Sequence, residues 1–231
     1  MNRILATSLL LNLLLVVAIV AGASFTGFFV KSNVLDPLYE RQVSVFDTFP
    51  LQQGDVVFVG DTLVAGAPVG EMFPRSVVRN RGIIGDTSEG VLGRIDQILA
   101  PGPGAIVLMI GTFDVLAGVP RRATVERVGE ILGHIENAGD VPVLLLSVLP
   151  RDLEALPSVD RLNADYAELA AEHGVDFLDL ASLLREEDGT LAERFTNDGL
   201  HLNGPGYEVW RDAIAPWIAA RSDAAAVASP R

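Results

Sequence analysis

Between residues 55 and 180 the chain alternates short unbroken apolar runs with stretches in which apolar residues recur every three or four positions. The runs at 55–59 (DVVFV), 105–110 (AIVLMI) and 141–148 (VPVLLLSV) are continuous rather than alternating, the pattern of strands buried on both faces. Residues 76–78 (SVV) and 175–180 (VDFLDL) are weaker strand candidates. Helical spacing appears in TSEGVLGRIDQILA through Val91, Ile95 and Ile98, and in ATVERVGEILGHIENAG through Val125, Val128, Leu132 and Ile135. It returns in VDRLNADYAELAAEHG through Leu162, Tyr166 and Leu169, where Gly174 provides a natural stop.

Strand and helix repeated in this order predict an α/β domain with a parallel sheet and helices on both faces. Sites in such sheets gather beyond the carboxyl ends of the strands. The polar punctuation falls there: Gly60-Asp61-Thr62 after 55–59, NRGIIGDT after 76–78 and GTFD after 105–110.

The ends of the chain have a different character. From Ile4 to Val30 no residue is charged, which is long enough to cross a bilayer as one helix. Arg3, the apolar stretch and the small residues Ala21-Gly22-Ala23 also fit a cleaved signal peptide, but apolar character continues through Phe25, Phe28 and Phe29, which favours an uncleaved anchor. Either reading exports the remainder. The expected organisation is an anchor or signal at 1–31, a stalk at 32–54 leading into the fold, a domain over 37–219 and a disordered tail at 220–231. The tail lacks bulky apolar residues apart from Val227.

Seventeen basic residues against thirty acidic ones give a net charge of −13, with no basic patch. Nucleic acid and a polybasic lipid-headgroup site are therefore not expected partners. The absence of cysteine removes disulfides, thiol nucleophiles and cysteine metal sites. The three histidines lie far apart and no metal cluster is visible, so neither metal nor cofactor is expected.

Chemistry concentrates in TNDGLHLNGPGY, where Asp198 and His201 stand three residues apart. One tight turn can set the carboxylate against one imidazole nitrogen and leave the other to take a proton from a hydroxyl. His134 and His173 have no such company and read as surface or structural residues.

Four blocks in order then resemble the SGNH hydrolases, also called GDSL esterases and lipases, over residues 37–219. FVGDTLV resembles the Gly-Asp-Ser block, VVRNRGIIGDTSEGVLGRID the glycine block, VLMIGTFDVLAGV the Gly-x-Asn-Asp block and DGLHLNGPGYEVW the Asp-x-x-His block. The resemblance implies a three-layer α/β/α domain in which the first-block hydroxyl attacks an ester carbonyl. His201 would be the base and Asp198 its orienting carboxylate. The oxyanion would be held by the N–H of residue 62, the N–H of Gly85 and the third-block asparagine. Two signature positions depart from that pattern: Thr62 stands for serine and Phe113 for asparagine.

Threonine keeps a hydroxyl, but its methyl stiffens χ1 and crowds a site shaped for serine, and a misplacement of ~1 Å can cost ~10²-fold. Phe113 donates no side-chain hydrogen bond, and losing one oxyanion donor costs ~10² to 10³ in turnover. The resulting expectation is a membrane-anchored, extracytoplasmic domain of this type with an impaired site, serving as a binding or accessory subunit beside a membrane protein. The rival expectation is a working hydrolase of a small acyl ester, an acetylated sugar or a lysolipid, using Thr62, His201 and Asp198.

Overall fold

The computed structural model describes residue 25, residues 29–151 and residues 156–228. The chain separates into two units, Met1–Val45 and Phe46–Arg231. The described part of the first is helical, with a π-helical turn at Lys31–Leu35 leading into α1 (Asp36–Thr48). The expected stalk is thus largely helix. Among the described residues no helix is long and apolar enough to cross a membrane. The expected anchor over 4–30 falls outside the described residues except at Phe25, Phe29 and Val30.

The second unit is built on five parallel strands, β1 (Val56–Gly60), β2 (Val78–Gly82), β3 (Ala105–Met109), β4 (Val143–Leu146) and β5 (Asp176–Leu178). They lie in the order β2-β1-β3-β4-β5. The three central strands are buried along their whole length, as their unbroken apolar runs predict. β2 begins two residues later than the apolar triplet suggested and has the polar sequence VRNRG. It survives as a strand because it is an edge whose long side chains find partners: Arg79 pairs with Asp55, and Arg81 donates to Phe49 O while covering the Phe46 ring.

Side chains alternate across the sheet and so divide the core in two. Val57, Val59, Ile106, Leu108 and Leu145 pack with one set of helices: α4 (Ser88–Leu99), α6 (Arg121–Ala138) and α7 (Leu156–Glu172). Phe58, Val107, Met109, Leu144 and Leu146 pack on the other face with α8 (Ala181–Leu184) and α9 (Gly204–Ala228). The result is the expected α/β/α layering. α9 supplies Trp210, Ile214 and Ile218, all essentially inaccessible. A large side chain buried this fully contributes roughly 1.5–3 kcal/mol from the area removed from water.

Three helices fall where their periodicity places them. α4 starts at the Thr87 cap, whose hydroxyl accepts from Gly90 N, and the polypeptide leaves α7 through Gly174 at φ +65°. Residues 220–228 of the expected tail continue α9, and residues 229–231 fall outside the described residues. Short helices also follow the strands at the site: α2 (Thr62–Ala65), α3 (Val69–Met72) and α5 (Thr112–Leu116).

Candidate active site

β1 ends at Gly60 and the chain turns at once into α2. Asp61 caps that helix with an extended backbone, its Oδ1 accepting from Leu63 N at 3.0 Å, and Thr62 is the first helical residue. The half-buried Thr62 therefore sits at the carboxyl edge of a central strand, as the sequence predicts.

Its hydroxyl is directed to the neighbouring loop. Gly85, which follows β2 with φ +77°, donates its N–H to Thr62 Oγ1 at 2.9 Å. A positive φ of this kind strains any side chain, so glycine is needed where the N–H must face the site. The geometry joins two of the expected residues: the Gly85 N–H is hydrogen-bonded to the hydroxyl oxygen of Thr62.

Asp198 and His201 meet as predicted. Asp198 Oδ2 lies 2.6 Å from His201 Nδ1, while Oδ1 accepts from the N–H groups of His201 at 2.8 Å and Leu200 at 3.0 Å. The imidazole contact, followed by those two backbone donors, holds the Asp198 carboxyl well below the usual carboxylate range. The dyad is about half exposed, and among the described residues no hydrogen bond joins His201 to Thr62. The carboxylate meets the imidazole and the hydroxyl meets the glycine, and among the described residues no hydrogen bond joins the two pairs.

Phe113 occupies the first turn of α5, directly after Gly111 and Thr112, and is half-buried. The structure therefore supplies no donor from this side chain. Thr112 does not replace it: its hydroxyl is buried without a completed hydrogen bond and lies toward Asp61. Asp61 itself is fully buried, and that burial raises its carboxyl to about 7. Leu63 N and the approach of Thr112 temper the rise, although neither Asp61 Oδ2 nor Thr112 Oγ1 completes a hydrogen bond of good geometry.

A buried polar frame that the sequence reading missed holds these loops together. Arg94 pairs with Asp86 at 2.9 Å and also donates to Gly60 O at 3.4 Å, linking the Gly85 loop to the end of β1. Asp114 accepts from Ser88 N at 2.9 Å and Ser88 Oγ at 2.5 Å, linking α5 to the start of α4. The available signal was an arginine inside the apolar stripe of a helix, next to Ile95 and three residues from Val91. Away from the site, His134 rests beside Asp96 and His173 beside Glu136, both on the surface.

The chain is similar in sequence and fold to known proteins. The chain is 27% identical over 169 residues to the GDSL-like esterase Rv1075c of Mycobacterium tuberculosis, a match covering 68% of this chain and 54% of that protein. It thus spans about half the length of this curated relative. Among solved structures, a GDSL-like lipase from Bacteroides thetaiotaomicron VPI-5482 superimposes with a TM-score of 0.71 at 23% identity, covering 79% of this chain and 97% of that one. A catalytic mutant of an acetylxylan esterase from Geobacillus stearothermophilus does so with a TM-score of 0.62 at 15% identity, covering 73% and 95%. Identities this low show the fold alone. The family profile is more specific, since it matches residues 60–209 and so takes in Thr62, Gly85, Phe113, Asp198 and His201 together: the chain belongs to the GDSL-like Lipase/Acylhydrolase family.

Proposed function

We propose that this chain is a GDSL-type domain with a degenerate ester-hydrolase site, held at the extracytoplasmic face of a membrane as a binding or accessory subunit. The observation that carries this reading is the oxyanion inventory. Of the three donors the family arrangement implies, the Phe113 side chain offers none, and the Gly85 N–H is occupied by Thr62 Oγ1. Only the backbone N–H of Thr62 is left. A carbonyl entering this site would have to displace the resident hydroxyl from Gly85 and would still lack one donor, each step adding to the barrier.

The ligand this reading takes is a small acyl ester, and exposed apolar side chains stand near the site residues in sequence. Ile84 beside Gly85 and Leu116 one turn after Phe113 are both exposed, and Phe113 is itself half-buried. Membrane attachment rests on the uncharged run at 4–30, and the membrane-protein partner on that placement.

The alternative is a working ester hydrolase, favoured by the intact Asp198–His201 pair. The double change Thr62→Ser with Phe113→Asn separates them. Hydrolysis of a simple acyl ester is expected to rise at least ~10²-fold over the native chain, the cost of one absent oxyanion donor. High turnover by the native protein, together with labelling of Thr62 by a fluorophosphonate ester, would establish the hydrolase instead.

A further inference from the structure

α2 is a single turn, so it cannot satisfy its own carbonyls as a longer helix would. Thr62 O accepts from Gly66 N and Val64 O from Ala67 N, both local bonds. More distant side chains add to these. Val64 O also accepts from Asn80 on β2 at 2.6 Å, and the same amide donates to Ala67 O at 3.1 Å. Tyr207, in the first turn of α9 and six residues after His201, donates its hydroxyl to Leu63 O at 2.9 Å.

The tyrosine is well fixed for that task. Its ring stacks on buried Trp210 with centroids 5.6 Å apart, and its N–H is bound to Asn203 O at 3.0 Å. The hydroxyl passes so close to α2 that a Cβ at position 66 would stand 2.9 Å from it, which explains Gly66. Burial, assisted by the nearby Asp61, pushes the phenol up to about 12, so it remains a donor at any physiological pH.

We infer that Tyr207 is a positioning residue: its hydroxyl registers the helix carrying Thr62 against the segment carrying Asp198 and His201. Asn80 is its counterpart toward the strand that leads to Gly85. The inference rests on the reading of this site as an ester-hydrolase site, degenerate in the native chain, in which position 62 is the one His201 would deprotonate once Thr62→Ser and Phe113→Asn restore it. It deepens that reading by naming what sets the distance between the two pairs. The phenol takes no proton and touches no substrate; it acts through the main chain of Leu63, one residue from the hydroxyl.

Tyr207→Phe removes the donor and leaves the stacking on Trp210. In the full chain, hydrogen exchange over residues 61–67 is expected to quicken about tenfold, the scale of one net hydrogen bond, while exchange in β3 and β4 stays as in the parent. Placed in the Thr62→Ser, Phe113→Asn background, the same change is expected to lower kcat about tenfold with KM within about twofold, since a sub-ångström shift acts on attack more than on binding. Unchanged exchange over 61–67, or a rise spread equally over the sheet, would overturn the inference and reduce Tyr207 to a packing residue. A local rise with kcat unaltered would overturn it too, by showing that the helix position does not govern attack. Should the double variant show no turnover, the ester-hydrolase reading of the site fails, and the exchange measurement still decides the part played by Tyr207.

Discussion

The N–H of Gly85 meets the hydroxyl oxygen of Thr62 at 2.9 Å, so a donor that the family arrangement assigns to an oxyanion is held by the nucleophile position itself. Restoring chemistry then needs two separate corrections. Phe113→Asn alone supplies a donor but leaves the threonine rotamer bound to Gly85. Thr62→Ser alone frees χ1 but leaves the oxyanion short. Each single variant is expected to recover less than the double variant in an acyl-ester assay, because attack and oxyanion stabilisation act as a unit. A single variant that matches the double one would show that only one of the two positions limits the site.

Asp61 makes stability depend on pH in a definite direction. Its folded value of about 7 exceeds the ordinary carboxylate value of 3.8, so between these limits the folded chain keeps a proton that the unfolded chain has released. The folded state is therefore favoured below that window and loses stability as pH rises through it, by on the order of a few kcal/mol in all. Urea unfolding at pH 5 and pH 8 should show a decline in the native protein and a shallower one in Asp61→Asn, which keeps the cap on Leu63 N. Parallel declines in the two proteins would mean that Asp61 is ionised throughout.

The central strands were legible because burial on both faces leaves an unbroken apolar run, as at 105–110. β2 was legible only as the weak triplet 76–78 at its start, since an edge strand can be made from Arg79, Asn80 and Arg81 when each finds a partner elsewhere. The same contrast holds in the site. Asp198 and His201 are three residues apart and their contact follows from one turn, whereas the bond from Gly85 to Thr62 spans 23 positions and that from Tyr207 to Leu63 spans 144. Spacing along the chain carries no information about contacts of that range. The threonine rotamer, which decides what Gly85 does, is likewise a property of the packed site.

Arg94→Met is expected to be strongly destabilising, by about 3–5 kcal/mol, because it leaves the Asp86 carboxylate buried without its cation. Adding Asp86→Asn should recover part of that loss. Thermal or urea unfolding of the single and double variants measures it, and a neutral Arg94→Met would show that the pair contributes nothing to the frame.

The uncharged run at 4–30 makes a prediction independent of the site. The full-length chain should remain with membranes after high-salt and alkaline washing. Recovery of a soluble protein beginning near Ser24 would favour the cleaved signal peptide.

The buried Asp86–Arg94 pair also gives this site a direction in which to diverge. Its members, with Asp114 and Ser88, depend on one another inside the fold, so a change at any of them is penalised whether or not the protein turns over substrate. Thr62 and Phe113 are only half-buried and take no part in the Asp86–Arg94 pair or the Ser88–Asp114 bonds. Selection for folding alone would therefore preserve the outline of a hydrolase long after the reacting positions had been released to accommodate another ligand.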